Sequence, residues 1–284
     1  MALWLEVVTV LDATENQEGS TPVSHPRSTP AALVPWRSYV ALGDSFTEGM
    51  NDFRPNGDLR GWADRVAEAI DDARPGLRYA NLAVRGAKVH DVVVDQFPAA
   101  VEMRADLASV AIGVNNMLRP RFDLQDVVLG VREIVSGLRR AGTDVLLVAF
   151  GDPRRRSKAL GAIANRIREY DSHLRGLAVE FDARLVDFWG APCFDDDRLW
   201  SCDRLHLSSL GHEHAARAGL EALGLGDGSW REPPASDWEP PGFLERRLLD
   251  AQWFALDVTP WATRNMLRRA SPHKPRRPEL EPMS

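Results

Sequence analysis

Between residues 38 and 225 the chain alternates short apolar runs with longer stretches of helical period, and few architectures satisfy that order. The runs SYVALGDS, LRYANLAV, LASVAIGVN, DVLLVAF and ARLVDFW have strand length. They are too uniformly apolar to leave one face in water, which marks strands buried on both faces. After them come GWADRVAEAIDDA, VVVDQFPAAVEMRA, DLQDVVLGVREIVSGLRRAG, SKALGAIANRIREYDSHLRGLAVEF and SSLGHEHAARAGLEAL, whose apolar residues recur at helical spacing. Asp123 and Gly142 predict the caps of the third helix, and Pro98 predicts a kink or break in the second. Strand–helix alternation of this kind predicts an α/β fold with a five-stranded parallel sheet covered on both faces. Ligands of such sheets gather outside the carboxyl ends of the strands.

The flanks read differently. Residues 1–36 are rich in Ser, Thr and Pro without sustained period, and are expected to form a flexible leader. The globular domain is expected over 37–225. Residues 226–284 form a Pro/Trp/Arg-rich extension, with a short helix expected over 243–258 and a disordered basic tail over 268–284. The apolar start has no preceding basic residues and no small-residue cleavage site, so no secretory signal is expected and the protein is placed in the cytoplasm. Cys193 and Cys202 are then expected as free thiols. A formal net charge of -6 argues against nucleic acid as a partner. No apolar stretch is long enough for stable membrane insertion.

The chemistry-bearing residues fall just past strand ends. Gly43-Asp44-Ser45 follows the first strand, Arg85-Gly86 the second, Gly113-Val114-Asn115-Asn116 the third, and Asp203-Arg204-Leu205-His206 lies in the loop after the fifth. One sheet edge thus collects the groups that acyl transfer needs. A serine hydroxyl is a weak nucleophile until a base takes its proton, and histidine is the base whose ordinary pKa lies near neutrality. Asp203 would accept the second imidazole N–H of His206 and fix its tautomer. The N–H of Ser45, the N–H of Gly86 and the side-chain amide of Asn115 could form an oxyanion hole. The scheme calls for no metal and no cofactor, and its partner is a small-molecule ester.

Four blocks carry a family resemblance: GDSF at 43–46, the Gly of NLAVRG at 81–86, GVNN at 113–116 and DRLHLSSLGH at 203–212. In order and spacing they resemble the SGNH/GDSL hydrolases. The resemblance implies a flavodoxin-like three-layer α/β/α sandwich and ester hydrolysis. It maps the family's Ser, Gly, Asn and His onto Ser45, Gly86, Asn115 and His206, and its acid onto Asp203. Two positions depart from the pattern. Asn116 stands where the family has Asp, which implies a different local hydrogen-bond network, and Phe46 stands where the family has Leu.

Other residues have blander readings. Asp44 suits a turn aspartate that bonds nearby backbone N–H groups. His212 and His214 are two apart on a helix and do not share a face, which argues against a joint metal site. Asp195, Asp196 and Asp197 read as a solvated loop, and His90 and His173 as helix-surface residues. Trp200 could wall a substrate pocket or pack its loop on the core. Arg54, Arg60 and Trp62 could contact substrate or serve the surface. Two other functions share this sequence pattern: an acyltransferase using the same acyl-enzyme, and a catalytically quiet binding module. The sequence leaves the oligomeric state open. A flavin or nucleotide site is excluded locally, because the first turn lacks a glycine-rich phosphate cradle.

Overall fold

The central strand β1 (Ser38–Gly43) separates two apolar cores. Tyr39 and Ala41 point into one and Val40 and Leu42 into the other, as the two-residue period of a strand requires. In this computed structural model the described residues are 34–155, 160–235, 242 and 273–283. The helix expected over 243–258 lies outside them, as does the leader expected over 1–36 except for residues 34–36, where Val34 and Trp36 are buried.

All five expected strands form. β1 pairs in parallel with β2 (Arg78–Asn81) on one side and with β3 (Leu107–Ala111) on the other. The sheet continues in parallel through β4 (Asp144–Ala149) to β5 (Arg184–Asp187). Single helical turns follow the carboxyl ends of the first three strands: α1 (Ser45–Glu48) after β1, α3 (Val89–Asp91) after β2 and α5 (Val114–Met117) after β3. The longer helices cover the faces. α2 (Trp62–Ala73) and α8 (Ser209–Ala222) bury Trp62, Val66, Ile70, Ala215 and Ala218 on the Tyr39 side. α4 (Phe97–Met103), α6 (Leu124–Arg140) and α7 (Ala164–Glu180) bury Ala100, Val131, Ile134, Leu138, Tyr170 and Leu174 on the other.

Local sequence explains these elements. Asp123 caps α6 by accepting from Gln125 N at 2.8 Å, and Val127, Val131, Ile134, Val135 and Leu138 form its buried stripe. Gly142 follows the cap residue Ala141 in the left-handed conformation that ends helices. The break expected near Pro98 takes the form of a π-turn over Val92–Gln96. Proline has no N–H to return to the preceding turn, and the wider turn absorbs the mismatch. The long helix expected from residue 157 has its regular part only from Ala164, after a 3₁₀ segment at Leu160–Ile163.

Two expectations need correction together. The tail is ordered over Arg277–Pro282 as a sixth strand, β6, which runs antiparallel to β2. The fold is therefore an α/β sandwich on a mixed six-stranded sheet of order β5-β4-β3-β1-β2-β6, rather than the five-stranded, all-parallel, flavodoxin-like sheet. An edge strand pairs on one side only and so tolerates Pro278 and Pro282. Side chains reinforce the pairing: Arg78 donates to Leu280 O at 2.8 Å, and the Arg277 guanidinium lies 5.2 Å from the Tyr79 ring centroid.

Candidate active site

β1 ends in a turn that brings Ser45 to the carboxyl edge of the sheet. Gly43 allows the turn, because a Cβ there would lie 2.5 Å from Ala111 O and 2.7 Å from Thr47 Oγ1. Asp44 caps α1 through Phe46 N (3.1 Å) and leaves Ser45 as the first helical residue. Across the sheet, in the loop after β5, His206 places Nε2 2.9 Å from Ser45 Oγ and Nδ1 2.8 Å from Asp203 Oδ2. A carboxylate only accepts, so Nδ1 carries the proton and Nε2 is free to accept from the serine hydroxyl.

Asp203 is held from several directions. Its Oδ1 accepts from Ser201 Oγ (2.6 Å), Leu205 N and His206 N (3.0 Å each), and its Oδ2 also accepts from Asn51 Nδ2 (2.8 Å). Burial works to raise its pKa. The bond and charge of His206, with the N–H of His206 and the Ser201 hydroxyl, outweigh burial and hold the carboxyl well below the usual range. Asn51 and Ser201 were not among the residues singled out from sequence. Asn51 adopts a left-handed backbone (φ 68°) that asparagine tolerates, a hint too common to identify it.

Ser45, Gly86 and Asn115, the residues expected to meet an oxyanion, all border one cavity. Gly86 sits in the turn after β2 with φ 79°, a conformation that favours glycine. Asn115, in α5, donates through Nδ2 to Asp44 Oδ2 and to Ala87 O, both at 3.0 Å. Asp44 thus fixes both the start of α1 and the Asn115 amide. Burial raises its pKa to about 6, against the opposing effects of the Phe46 N–H and of His206. The residue that departs from the family pattern, Asn116, accepts from Val89 N at 3.1 Å and so ties α5 to α3. The Arg85–Gly86 turn is fastened by Glu48, whose buried carboxylate accepts from Arg85 N (2.6 Å), Nε (2.9 Å) and Nη2 (2.6 Å).

A cavity of about 650 Å³ opens over Ser45 and His206. Phe46, Phe150, Phe188, Phe194 and Trp200 give it aromatic walls. Trp200 fills both readings: it lines the cavity, and its Nε1 donates to Phe194 O at 2.8 Å. Arg54 and Arg60 instead turn to Glu68, and Trp62 is core. His212 accepts from Trp62 N and donates to Met50 O, and His214 donates to Trp230 O, so both are satisfied by backbone. Burial pulls the His212 pKa down to about 4 and keeps it neutral. His90 is exposed, whereas His173 is half-buried. Cys193 is buried and Cys202 exposed, both free. Among the described residues no group of three or more His, Cys, Asp or Glu could hold a metal ion, and no helix is long and apolar enough to cross a membrane.

The family model for GDSL-like lipases and acylhydrolases matches residues 41–214, well over half of the chain. The chain belongs to that family. The matched span contains Ser45, Gly86, Asn115, Asp203 and His206, and membership makes the protein a hydrolase of the GDSL/SGNH esterase–lipase group. No curated protein sequence matches it significantly. Solved structures share the fold at low identity. A protein described as a GDSL-like lipase from Parabacteroides merdae is 19% identical, with a TM-score of 0.59, over 69% of this chain and 100% of its own. The acetylxylan esterase Axe2 from Geobacillus stearothermophilus is 21% identical, with a TM-score of 0.57, over 66% of this chain and 94% of its own. LAE5, an α/β hydrolase from the metagenome of Lake Arreo, is 21% identical, with a TM-score of 0.57, over 66% and 95%.

Proposed function

We propose that this GDSL-family hydrolase is a serine esterase that cleaves small carboxylic esters through an acyl-enzyme on Ser45. The observation that carries the reading is the unbroken relay from Ser45 Oγ through His206 to Asp203. As Ser45 Oγ bonds to the ester carbonyl carbon, His206 Nε2 takes the hydroxyl proton. The carbonyl π electrons move to oxygen, and Asp203 stabilises the imidazolium. The tetrahedral intermediate collapses, the C–O bond to the alcohol breaks, and His206 returns the proton to the leaving alkoxide. Water then repeats the sequence on the acyl-enzyme, with His206 again as base, and releases the acid.

The developing oxyanion would meet the N–H of Ser45, the N–H of Gly86 and the Asn115 amide. Both hydrogens of that amide are engaged in the resting site, one by a carboxylate and one by a neutral carbonyl. The neutral Ala87 O is the weaker acceptor. An oxyanion therefore displaces it, while Asp44 keeps the amide aimed. The aromatic cavity walls favour an apolar acyl group, since burial of apolar area contributes about 25 cal/mol per Å².

The test is hydrolysis of a p-nitrophenyl ester series, from acetate to long acyl chains, by wild type and Ser45→Ala. Activity in the wild type alone is expected. Equal turnover in the two proteins would remove Ser45 from the reaction.

A further inference from the structure

Outside the span matched by the family, the C-terminal segment reaches the site: His273 lines the cavity, and Arg276 packs behind the turn that carries Ser45. Arg276, one residue before β6, has a mostly buried guanidinium with three acceptors, two backbone carbonyls and one carboxylate. Its Nε donates to Glu48 O (3.0 Å), its Nη1 donates to Leu59 O (3.2 Å), and its Nη2 pairs with the Asp64 carboxylate. Asp64 is buried in the first turn of α2 and also accepts from Gly61 N at 2.9 Å. Glu48 is the last residue of the turn that begins at Ser45, and its carboxylate holds Arg85 beside Gly86. β6 sets the registration, because Arg277 lies opposite Asn81, the last residue of β2.

From this chain of contacts we infer that Arg276 is a positioning residue, supplied by the C-terminal extension, which fixes Gly86 relative to Ser45 by holding Glu48 in place. The inference rests on the esterase reading above, in which Ser45 attacks and the Gly86 N–H faces the oxyanion. The chemistry calls for arginine. A planar fork reaches two carbonyls and a carboxylate on three sides, whereas an ammonium on a single stem cannot span them in the same geometry. Small displacements matter at such a site, since an oxyanion donor works only near its ideal distance.

The test compares wild type, Arg276→Lys, Arg276→Gln and the neighbouring control Arg277→Gln in the full chain. Burst titration with a p-nitrophenyl ester counts active sites, and Tm is followed in parallel. Lysine keeps a charge for Asp64, so Arg276→Lys remains folded even where the glutamine variant does not. The expected result is a fall in kcat per active site on the order of 10-fold for Arg276→Lys, with KM within about twofold. This is less than the 10²–10³ of an outright lost donor. Arg277→Gln lowers Tm and leaves kcat per site unchanged. If Arg276→Lys turns over like wild type at every counted site while Ser45→Ala is inactive, the esterase reading stands and the positioning role falls. Retained activity in Ser45→Ala overturns both.

Discussion

At the scale of single residues, the two carboxylates nearest the proposed reaction, Asp44 and Asp203, are tuned in opposite directions. Asp203 is held ionised by the groups around it, and in the proposed mechanism it fixes the His206 tautomer. Asp203→Asn puts an amide against Nδ1, favours the wrong tautomer and is expected to lower kcat about 10³–10⁴-fold in steady-state assays. Asn51→Ala removes one of several donors to Asp203, so a loss on the order of 10-fold is expected. Farther from the reacting atoms, Asp171 is buried in α7 with Oδ1 accepting from Phe150 N and Oδ2 without a partner. Burial raises its pKa to about 7, partly offset by the Phe150 N–H and Arg175. A folded-state pKa above the unfolded value of ~3.9 favours the native state while the group is protonated. That contribution is full below about pH 4 and is lost as the pH rises through about 7. Asp171→Asn keeps the acceptor for Phe150 N and cannot ionise. Its Tm, followed by calorimetry, should therefore fall less than that of wild type between pH 5 and 8. The difference should be about 1 kcal/mol or more, or roughly 2–4 °C for a domain of this size.

At the scale of elements, legibility tracked the number of neighbours that constrain a segment. β1 to β4 lie under helices on both faces, and their apolar runs announced them; Ser45, Gly86 and Asn115 could then be placed by position alone, just past strand ends. β6 carries no such mark. RPELEP is charged and twice interrupted by proline, and it is specified by one partner edge and by Arg78 and Arg277 rather than by its own hydropathy. The supports of the site were hidden for a similar reason. Asn51, Ser201 and the Glu48–Arg85 pair are ordinary polar residues until folding brings distant loops together. The turn after β1 is tightly specified. Gly43→Ala would press a methyl group on Ala111 O and Thr47, and is expected to cost about 1–3 kcal/mol, visible in urea unfolding as a lower midpoint.

At the scale of the whole molecule, the sheet has two unlike edges. β5 closes one side, and the other ends in a strand that returns from the far end of the chain. Deleting residues 273–284 strips β2 of its outer partner and exposes unpaired backbone groups. The shortened protein should melt several degrees lower and associate with concentration, as light scattering would register. The proposed relay is distributed just as unevenly. Asp203 and His206 are three residues apart in one loop, whereas His206 and Ser45 are separated by 161 positions. In refolding, the acid and base can find each other by a local search. The nucleophile joins them only after loop closure across four of the six strands, the kind of distant contact that forms slowly. Enzymatic competence is thus a late milestone of maturation: recovered turnover should trail the return of helical circular dichroism, and a chain whose nucleophile has yet to meet its base would look folded before it could work.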